Sequence, residues 1–198
     1  MIFLSRNIPI EIKEYILKII TADYFVIKKI IKKEVLVKRN IKVLDIGCGT
    51  GILSPLFEKT SYVGIDTDAS LVKFASQKYH HTFKCMSADN LKFPKNYFDA
   101  VVVIGVIHHL NSKTSKKALA QIKKVLNKRG EVLLIEAIPP IYAFNILGKF
   151  LRFFDEGHFI MKYEEYCDLF KKYFILKKSY IKRGGIVDYG VFVLTNSS

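Results

Sequence analysis

Val43-Leu44-Asp45-Ile46-Gly47-Cys48-Gly49-Thr50-Gly51 is the most informative stretch of this chain, because an apolar run leads directly into three alternating glycines. The pattern predicts a buried strand over Ile41–Ile46, a tight glycine turn, and a helix that starts within Ile52–Phe57. Glycine lets the backbone bend sharply and lets a ligand come close to it. A strand, a glycine-rich turn and a helix together form a nucleotide-binding element.

The residues around the glycines indicate which nucleotide the turn suits. A phosphate-binding loop needs Lys-Ser or Lys-Thr after the glycines, and Ile52-Leu53 stands there instead. The dinucleotide fingerprint needs glycine at position 52, so Gly51 comes one residue early. The charge of Asp45 would repel a pyrophosphate but attract a cation. The loop therefore favours S-adenosylmethionine, which carries an ammonium and a sulfonium group, over NAD or ATP.

Later apolar segments also end at residues that suit such a ligand. Ser61–Ile65 is a predicted second strand that ends at Asp66, and an acid about 20 residues into such a unit commonly accepts hydrogen bonds from ribose hydroxyls. The third predicted strand is Thr82–Met86, and Ser87-Ala88-Asp89 follows it. The fourth is Asp99–Ile104, and it leads to Val106-Ile107-His108-His109-Leu110.

At this point the chain resembles the class I S-adenosylmethionine-dependent methyltransferases, closest to the small-molecule branch of ubiquinone- and menaquinone-type enzymes. The resemblance covers Ile41–Ile138, about half of the chain, and is weak on either side. It implies an α/β fold, with a Rossmann-like, seven-stranded, mostly parallel sheet that has helices on both faces. It also implies S-adenosylmethionine as cofactor, S-adenosylhomocysteine as product, and no metal.

The resemblance assigns the cofactor contacts residue by residue. The implied cofactor-binding residues are Asp45, Gly47, Cys48, Gly49, Thr50, Gly51, Asp66, Thr67, Ala88, Asp89, Gly105 and Val106. In the family the glycine loop cradles the methionine and ribose portions, and the acid before it orders the loop and the amino group. The acid after the second strand takes the ribose hydroxyls. The pair after the third strand contacts adenine, and the pair after the fourth flanks the methionine side.

Each of these signals has a simpler interpretation when it is taken alone. Asp66 could be a helix cap, because the capping residues Asp68 and Ser70 lie beside it. Asp89 could be an ordinary turn residue, and a lone glycine pattern could be only a tight turn. Three signals in order, each at the end of an apolar strand, favour a cofactor site over these alternatives.

A general base is expected if the acceptor is a hydroxyl or an activated carbon, and histidine suits neutral pH. His158, in Asp155-Glu156-Gly157-His158, and His109 are the candidates; His108 and Tyr163 are weaker ones. His108 and His109 follow the fourth strand, at the carboxyl edge where open α/β sheets bind ligands. The alternative is that these histidines only pack or form structural hydrogen bonds.

The net charge of +14 is unevenly distributed along the chain. Residues 1–42 carry ten basic and four acidic side chains, residues 43–112 six of each, and residues 113–198 sixteen and eight. Basic flanks suit nucleic acid or an anionic membrane, or are simply solvated lysines. Only five of the 32 basic residues are arginine, the better bidentate partner of phosphate, so nucleic acid is the less favoured partner.

Composition and segment pattern predict one domain. Sparse cysteine, no apparent signal peptide and no uncharged apolar run of about 18 residues favour a cytoplasmic protein, with peripheral membrane contact as a further expectation. The chain of 198 residues divides into N-terminal helices (1–40, with Ile8–Ile20 and Tyr24–Ile31), a cofactor-binding core (41–138), a substrate-cover insertion (139–173) and a C-terminal hairpin (174–198). The sequence predicts no full helix in Asn90–Tyr97. It predicts a helix at Ser115–Leu126 closed by Asn127–Gly130, a strand at Glu131–Ile138 and a helix at Glu164–Phe170. An antiparallel hairpin is predicted over Phe174–Leu194, with its turn at Gly184-Gly185.

The insertion Pro139–Tyr173 carries the expectation about the acceptor. Its part Ile141–Phe154 is rich in aromatic residues and holds two charges, both positive. Such a segment suits the lining of an apolar pocket or a membrane surface, and alternatively a helix packed on the sheet. The predicted function is methyl transfer by direct displacement to a small, apolar or lipid-like acceptor. The alternatives are an RNA methyltransferase and a non-catalytic relative that binds the cofactor.

Overall fold

The sheet is the centre of the fold, in a computed structural model that describes residues 9, 25–35, 40–139, 159–184 and 187–196. Its seven strands lie in the order β3-β2-β1-β4-β5-β7-β6. They are β1 (Val43–Ile46), β2 (Tyr62–Asp66), β3 (Thr82–Cys85), β4 (Phe98–Ile104), β5 (Leu126–Ala137), β6 (Ile175–Gly184) and β7 (Val187–Thr195). Strands β1 to β5 pair in parallel, and β7 is antiparallel to both β5 and β6. The predicted fold class is confirmed.

Helices pack on both faces of this sheet, because successive residues of a buried strand point to opposite sides. The described helices are α1 (Phe25–Glu34), α2 (Ala69–Lys78), α3 (Ser112–Val125) and α4 (Tyr163–Lys171), with 3-10 turns at Ser54–Leu56 and Ile107–His109. Val101 and Val103 of β4 belong to the core cluster that α3 and α4 cover. Ala100 and Val102 belong to the opposite cluster, which α1 covers.

Helix α3 fits its sequence at both ends. The side chain of Asn111 accepts a hydrogen bond of 2.9 Å from the backbone N–H of Thr114, which caps the first turn. The helix therefore begins at Ser112, three residues before the predicted Ser115, and it ends at Val125.

The predicted helix after the glycine loop is wrong. Ile52–Phe57 forms only the 3-10 turn Ser54–Leu56. Phe57 is already extended, with φ −114° and ψ 156°, and its ring stacks on that of Tyr62 at 5.3 Å. The chain therefore turns directly into β2 instead of continuing a helix.

The predicted closing turn Asn127–Gly130 is also wrong, because these residues lie inside β5. Phe98 of β4 pairs with Leu126, and the next paired residues are Ala100 and Glu131. The extra residues of β5 bulge out between these two pairs. The side chain of Asn127 donates a hydrogen bond of 2.6 Å to Asp99, which holds the bulge against β4.

The remaining predicted elements agree with the structure within a few residues, where it describes them. No helix interrupts Asn90–Tyr97, and the C-terminal strands form the expected antiparallel pair. The predicted helix Ile8–Ile20, most of the insertion, and Gly185 of the hairpin turn lie outside the described residues. Within the described ranges no helix has the length and apolar character needed to cross a membrane.

Candidate functional site

The glycine loop is bonded to the end of β2 and packed against the end of β4. The backbone N–H groups of Gly47 and Cys48 donate to the carbonyl of Ile65, at 2.8 and 3.0 Å. Gly47 has a φ of +73°, and a Cβ built on it would lie 2.3 Å from Cγ2 of Val106. Only glycine therefore fits at the start of the loop, both for its backbone angle and for the close approach of β4.

Asp66 joins the end of β2 to the middle of this loop. Its Oδ2 accepts a hydrogen bond of 2.9 Å from the backbone N–H of Gly49, and its Oδ1 accepts one of 3.0 Å from Asp68. The carboxylate is only partly buried. Because an ionised carboxylate offers about four lone-pair sites, it can accept two more donors from a ligand beside the loop.

Asp45 is buried beneath the loop and bonded to Tyr62. The Tyr62 hydroxyl donates a hydrogen bond of 2.7 Å to Oδ2 of Asp45. Burial raises the pKa of Asp45 to about 7, the negative charge of Asp66 adds to the rise, and the hydrogen bond from Tyr62 opposes it. Burial also raises the pKa of Tyr62, with Asp45 adding to the shift. The carboxyl group is therefore poised to gain or lose a proton near neutral pH.

The other polar groups of the loop are structural rather than reactive in this geometry. Thr50 and Cys48 are both buried. Burial raises the pKa of the Cys48 thiol well above its ordinary value, and Asp45 and Asp66 add to the rise. A neutral buried thiol is a poor nucleophile, so Cys48 is not a reactive group in this geometry. The carbonyl of Thr67 accepts a hydrogen bond of 3.5 Å from the thiol of Cys85.

The residues after β3 lie at the same edge of the sheet. The N–H of Met86 donates to the carbonyl of Asp66 at 2.9 Å, so the chain leaves β3 beside the end of β2. Ala88 is buried. Asp89 is half-buried and accepts a hydrogen bond of 2.6 Å from the hydroxyl of Ser87. Asp66 and Asp89 therefore stand at the ends of neighbouring strands.

Glu136, at the end of β5, holds the turn after β4. Its carboxylate accepts hydrogen bonds from the backbone N–H groups of Val106 at 3.1 Å and Ile107 at 2.9 Å. Nδ1 of His108 lies 2.6 Å from its Oε2. Both side chains of this pair are buried. Gly105, with a φ of +63°, starts the turn and donates to the carbonyl of Ile135 at 2.8 Å.

The two adjacent histidines occupy different environments. His108 is buried against Glu136, which agrees with the structural alternative for that residue. His109 is partly exposed, and its ring lies 4.1 Å from that of His108. His158 lies outside the described residues. Tyr163 stacks on Phe192 at 5.3 Å, which places it against the core.

Sequence reasoning missed Tyr62 and Glu136. Glu136 carried a usable signal, because it is the one charged residue in the apolar run from Val132 to Ile138. A buried acid in such a run needs donors, and the turn after a neighbouring parallel strand is the nearest source. Tyr62 carried no comparable signal, because aromatic residues are common at strand starts.

The assembled edge can hold a cationic nucleoside. It presents the glycine loop, the fixed Asp66 carboxylate with spare acceptor capacity, and the buried carboxyl group of Asp45 under the loop. These groups fit the ribose hydroxyls and the ammonium of S-adenosylmethionine. Among the described residues no cluster of three or more histidine, cysteine or acidic side chains could hold a metal ion.

Comparisons with known proteins agree with this chemistry. Residues 44–134 match the family described as Methyltransferase domain. A probable tRNA methyltransferase 9B from Bos taurus is 33% identical over 93 residues, which is 46% of this chain and 20% of that protein. The ubiquinone/menaquinone biosynthesis C-methyltransferase of Pectobacterium carotovorum is 29% identical over 135 residues, covering 57% of this chain and 53% of that protein.

A solved structure shows the same fold over most of the chain. A SAM-dependent methyltransferase from Methanosarcina mazei superimposes with a TM-score of 0.69, at 17% identity, over 85% of this chain and 98% of that one. The chain spans about a fifth of the tRNA methyltransferase relative and about half of the quinone-pathway relative. The family match over residues 44–134 includes the glycine loop.

Proposed function

Since the chain carries a methyltransferase domain of the class I S-adenosylmethionine-dependent type, we propose that it transfers a methyl group from this cofactor to a small, apolar or lipid-like acceptor. The observation that supports the donor most directly is the Asp66 carboxylate, held by Gly49 beside the glycine loop with acceptor capacity to spare. The acceptor class rests on the aromatic, weakly charged composition of Ile141–Phe154.

The proposed cofactor-binding roles come from the family resemblance, and the position of these residues at one edge of the sheet supports them. Asp66 would accept the ribose hydroxyls, with Thr67 beside it, and Asp45 would face the ammonium group through the loop. The loop residues that would cradle the methionine and ribose portions are Gly47, Cys48, Gly49, Thr50 and Gly51. The residues that would contact adenine are Ala88 and Asp89, and those that would flank the methionine side are Gly105 and Val106.

The bound cofactor supplies an electrophilic methyl group on a good leaving group. The chain's own residues must then hold the acceptor atom in line, about 3 Å from that carbon, and keep water out. The Glu136 bonds fix the turn that carries Val106 and His109 at this edge. His109, partly exposed there, is the proposed base among the described residues, and His158 is the second candidate.

RNA is the second candidate acceptor. The specific observation in its favour is the 33% identity to a protein named as a probable tRNA methyltransferase. A non-catalytic relative that only binds the cofactor is a third alternative. The intact acids Asp45, Asp66 and Asp89 at three neighbouring strand ends weigh against it.

Thermal melting with S-adenosylhomocysteine tests the donor. A ligand at 100 times its dissociation constant stabilises the folded state by about 2.7 kcal/mol. That is a rise of about 5–10 °C in the melting temperature for a domain of this size. No rise at millimolar ligand would refute the cofactor assignment.

Labelled S-adenosylmethionine, incubated with separate lipid, RNA and protein fractions, tests the acceptor. We expect label in the lipid fraction. Label confined to RNA would replace the first candidate by the second. Cofactor binding without label in any fraction would favour a non-catalytic protein.

A further inference from the structure

Helix α3 has an exposed face made of lysine. Its sequence SKTSKKALAQIKKV holds five lysines and no acidic residue. The residues that it buries are Ser115, Ala118, Leu119, Ile122 and Val125. At about 100° per residue, the five lysines fall within an arc of about 120° opposite that buried stripe.

The loop before β4 extends this positive surface. Residues 90–130 contain nine basic residues and one acidic residue, Asp99. The backbone N–H of Asn96 donates to the carbonyl of Lys124 at 3.1 Å, which brings the loop that carries Lys95 against the last turn of α3. We call the exposed residues Lys95, Lys113, Lys116, Lys117 and Lys124 the lysine face.

Folding alone does not favour this arrangement. Like charges three or four residues apart, such as Lys113 with Lys116 and Lys117, lower helix stability by a few tenths of a kcal/mol per pair. The first turn of α3 also has no acidic side chain to balance the positive end of the helix dipole. An anionic partner would relieve both costs.

The lysine face begins at the edge of the sheet that holds the cofactor site. Helix α3 starts at Ser112, directly after the turn Ile107–His109 at the end of β4. Its 14 residues then extend for about 21 Å at 1.5 Å per residue toward the opposite edge. An anionic surface that contacts α3 therefore passes close to the site of methyl transfer.

The side chains on this face favour one class of anionic partner. Lysine is a strongly hydrated point charge, whereas arginine provides the planar, bidentate and stacking contacts that RNA recognition uses. No aromatic residue lies on α3 for base stacking, and its large apolar side chains, Leu119, Ile122 and Val125, are buried in the core. The contact that α3 offers is therefore electrostatic, of the kind that clusters of four to eight basic residues make with anionic lipid headgroups.

We propose that the lysine face of α3 docks the protein on an anionic membrane surface, with the cofactor edge beside the bilayer. This inference rests on the proposed lipid-like acceptor, because docking brings such an acceptor within reach. Helix α4 lies on the same side of the sheet and carries three exposed acids, Glu164, Glu165 and Asp168. Repulsion between these acids and an anionic membrane would limit the contact to the lysine face.

Vesicle co-sedimentation of the full chain tests the docking. Vesicles of phosphatidylcholine are compared with vesicles that also contain phosphatidylglycerol, at low and high salt. The face variant is Lys113→Gln with Lys117→Gln and Lys124→Gln. The control variant is Lys59→Gln with Lys73→Gln and Lys182→Gln, which loses the same charge from exposed positions elsewhere.

The parent is expected to bind only the anionic vesicles, and less tightly at high salt. At about fivefold per lysine, the face variant loses about 100-fold in binding. The control variant changes by less than about threefold, because its lysines lie on other elements of the fold, away from α3 and its adjoining loop in the chain. Equal loss in both variants, unchanged binding of the face variant, or equal binding to neutral vesicles would overturn the proposal.

Two further measurements separate the alternatives. If the face variant loses affinity for an RNA oligonucleotide but the parent does not bind vesicles, the membrane proposal is wrong and RNA is the partner. The melting shift with S-adenosylhomocysteine is recorded for all three proteins. A retained shift with no vesicle binding by the parent overturns the docking alone, whereas a missing shift in the parent refutes the proposed cofactor.

Discussion

Nδ1 of His108 lies 2.6 Å from Oε2 of Glu136, and both side chains are buried. The same carboxylate accepts the backbone N–H groups of Val106 and Ile107. One acid at the end of β5 thus fixes the turn after β4, against which the glycine loop packs. Glu136 therefore positions the turn that borders the proposed cofactor site.

Glu136→Gln is expected to destabilise the fold strongly. The glutamine oxygen can keep the bonds from Val106 and Ile107, but its amide nitrogen then replaces Oε2 opposite Nδ1 of His108 and breaks that buried contact. Losing a buried hydrogen bond to a carboxylate costs about 1.5–3 kcal/mol in the free energy of unfolding, measured by urea denaturation. Glu131→Gln is the matched control on the same strand. It removes an ion pair with the exposed Lys177 and should cost less than about 1 kcal/mol. Equal effects of the two variants would contradict the role of Glu136.

Asp66→Asn is expected to weaken S-adenosylhomocysteine binding about 10- to 100-fold, since hydrogen bonds to a charged group contribute about 1.5–3 kcal/mol. The amide can keep one of the two backbone bonds but offers fewer acceptor sites to the ribose. Asp68→Asn is the control, because Asp68 caps α2 through Ser70 and asparagine caps equally well. Isothermal titration calorimetry measures both variants, and a comparable loss in Asp68→Asn would argue against ribose binding by Asp66.

Gly47→Ala is expected to damage the site by two separable effects. The added Cβ meets Cγ2 of Val106, and a φ of +73° strains any residue with a side chain. Val106→Ala in the same chain removes the steric contact but not the strain. A double-mutant cycle on the free energy of unfolding should therefore give a favourable coupling, with a residual cost of about 1–2 kcal/mol from the backbone. Strict additivity would show that the two residues do not meet.

The sequence predicted which strand ends are neighbours better than it predicted the elements around them. Alternating glycines and acids at strand ends are local signals, so Asp45, Asp66 and Asp89 could be placed at one edge before the structure was considered. The failures at Ile52–Phe57 and Asn127–Gly130 have a common cause. In both segments a tertiary contact, the Phe57–Tyr62 stack or the Asn127–Asp99 bond, overrides the local pattern.

Contacts between residues far apart in the sequence were the other feature that could not be predicted. Glu136 is 28 residues from His108, and Tyr62 is 17 residues from Asp45. Such pairs depend on strand order, and strand order follows from the packing of the whole sheet rather than from any segment. The contact of the Asn96 loop with Lys124 likewise required the structure.

The buried pair of Asp45 and Tyr62 predicts how stability depends on pH. Burial raises the pKa of Asp45 from 3.8 to about 7 in the folded protein, so between these values the folded state holds a proton that the unfolded state has lost. The free energy of unfolding should therefore fall as the pH rises from about 4 to about 7 and then level off.

Variants of the pair isolate this contribution. Asp45→Asn should remove that slope and equal or exceed the parent in stability at pH 8, while binding S-adenosylhomocysteine more weakly. Tyr62→Phe removes the bond that favours the ionised carboxylate, so the decline should extend to higher pH. Denaturation curves between pH 5 and pH 9 measure all three proteins, and an identical slope in Asp45→Asn would assign the titration to another group. Because an ionised Asp45 attracts the ammonium of the ligand, and Asp45 of the folded protein ionises near pH 7, the affinity of the parent should rise between about pH 6 and about pH 8, where its stability levels off.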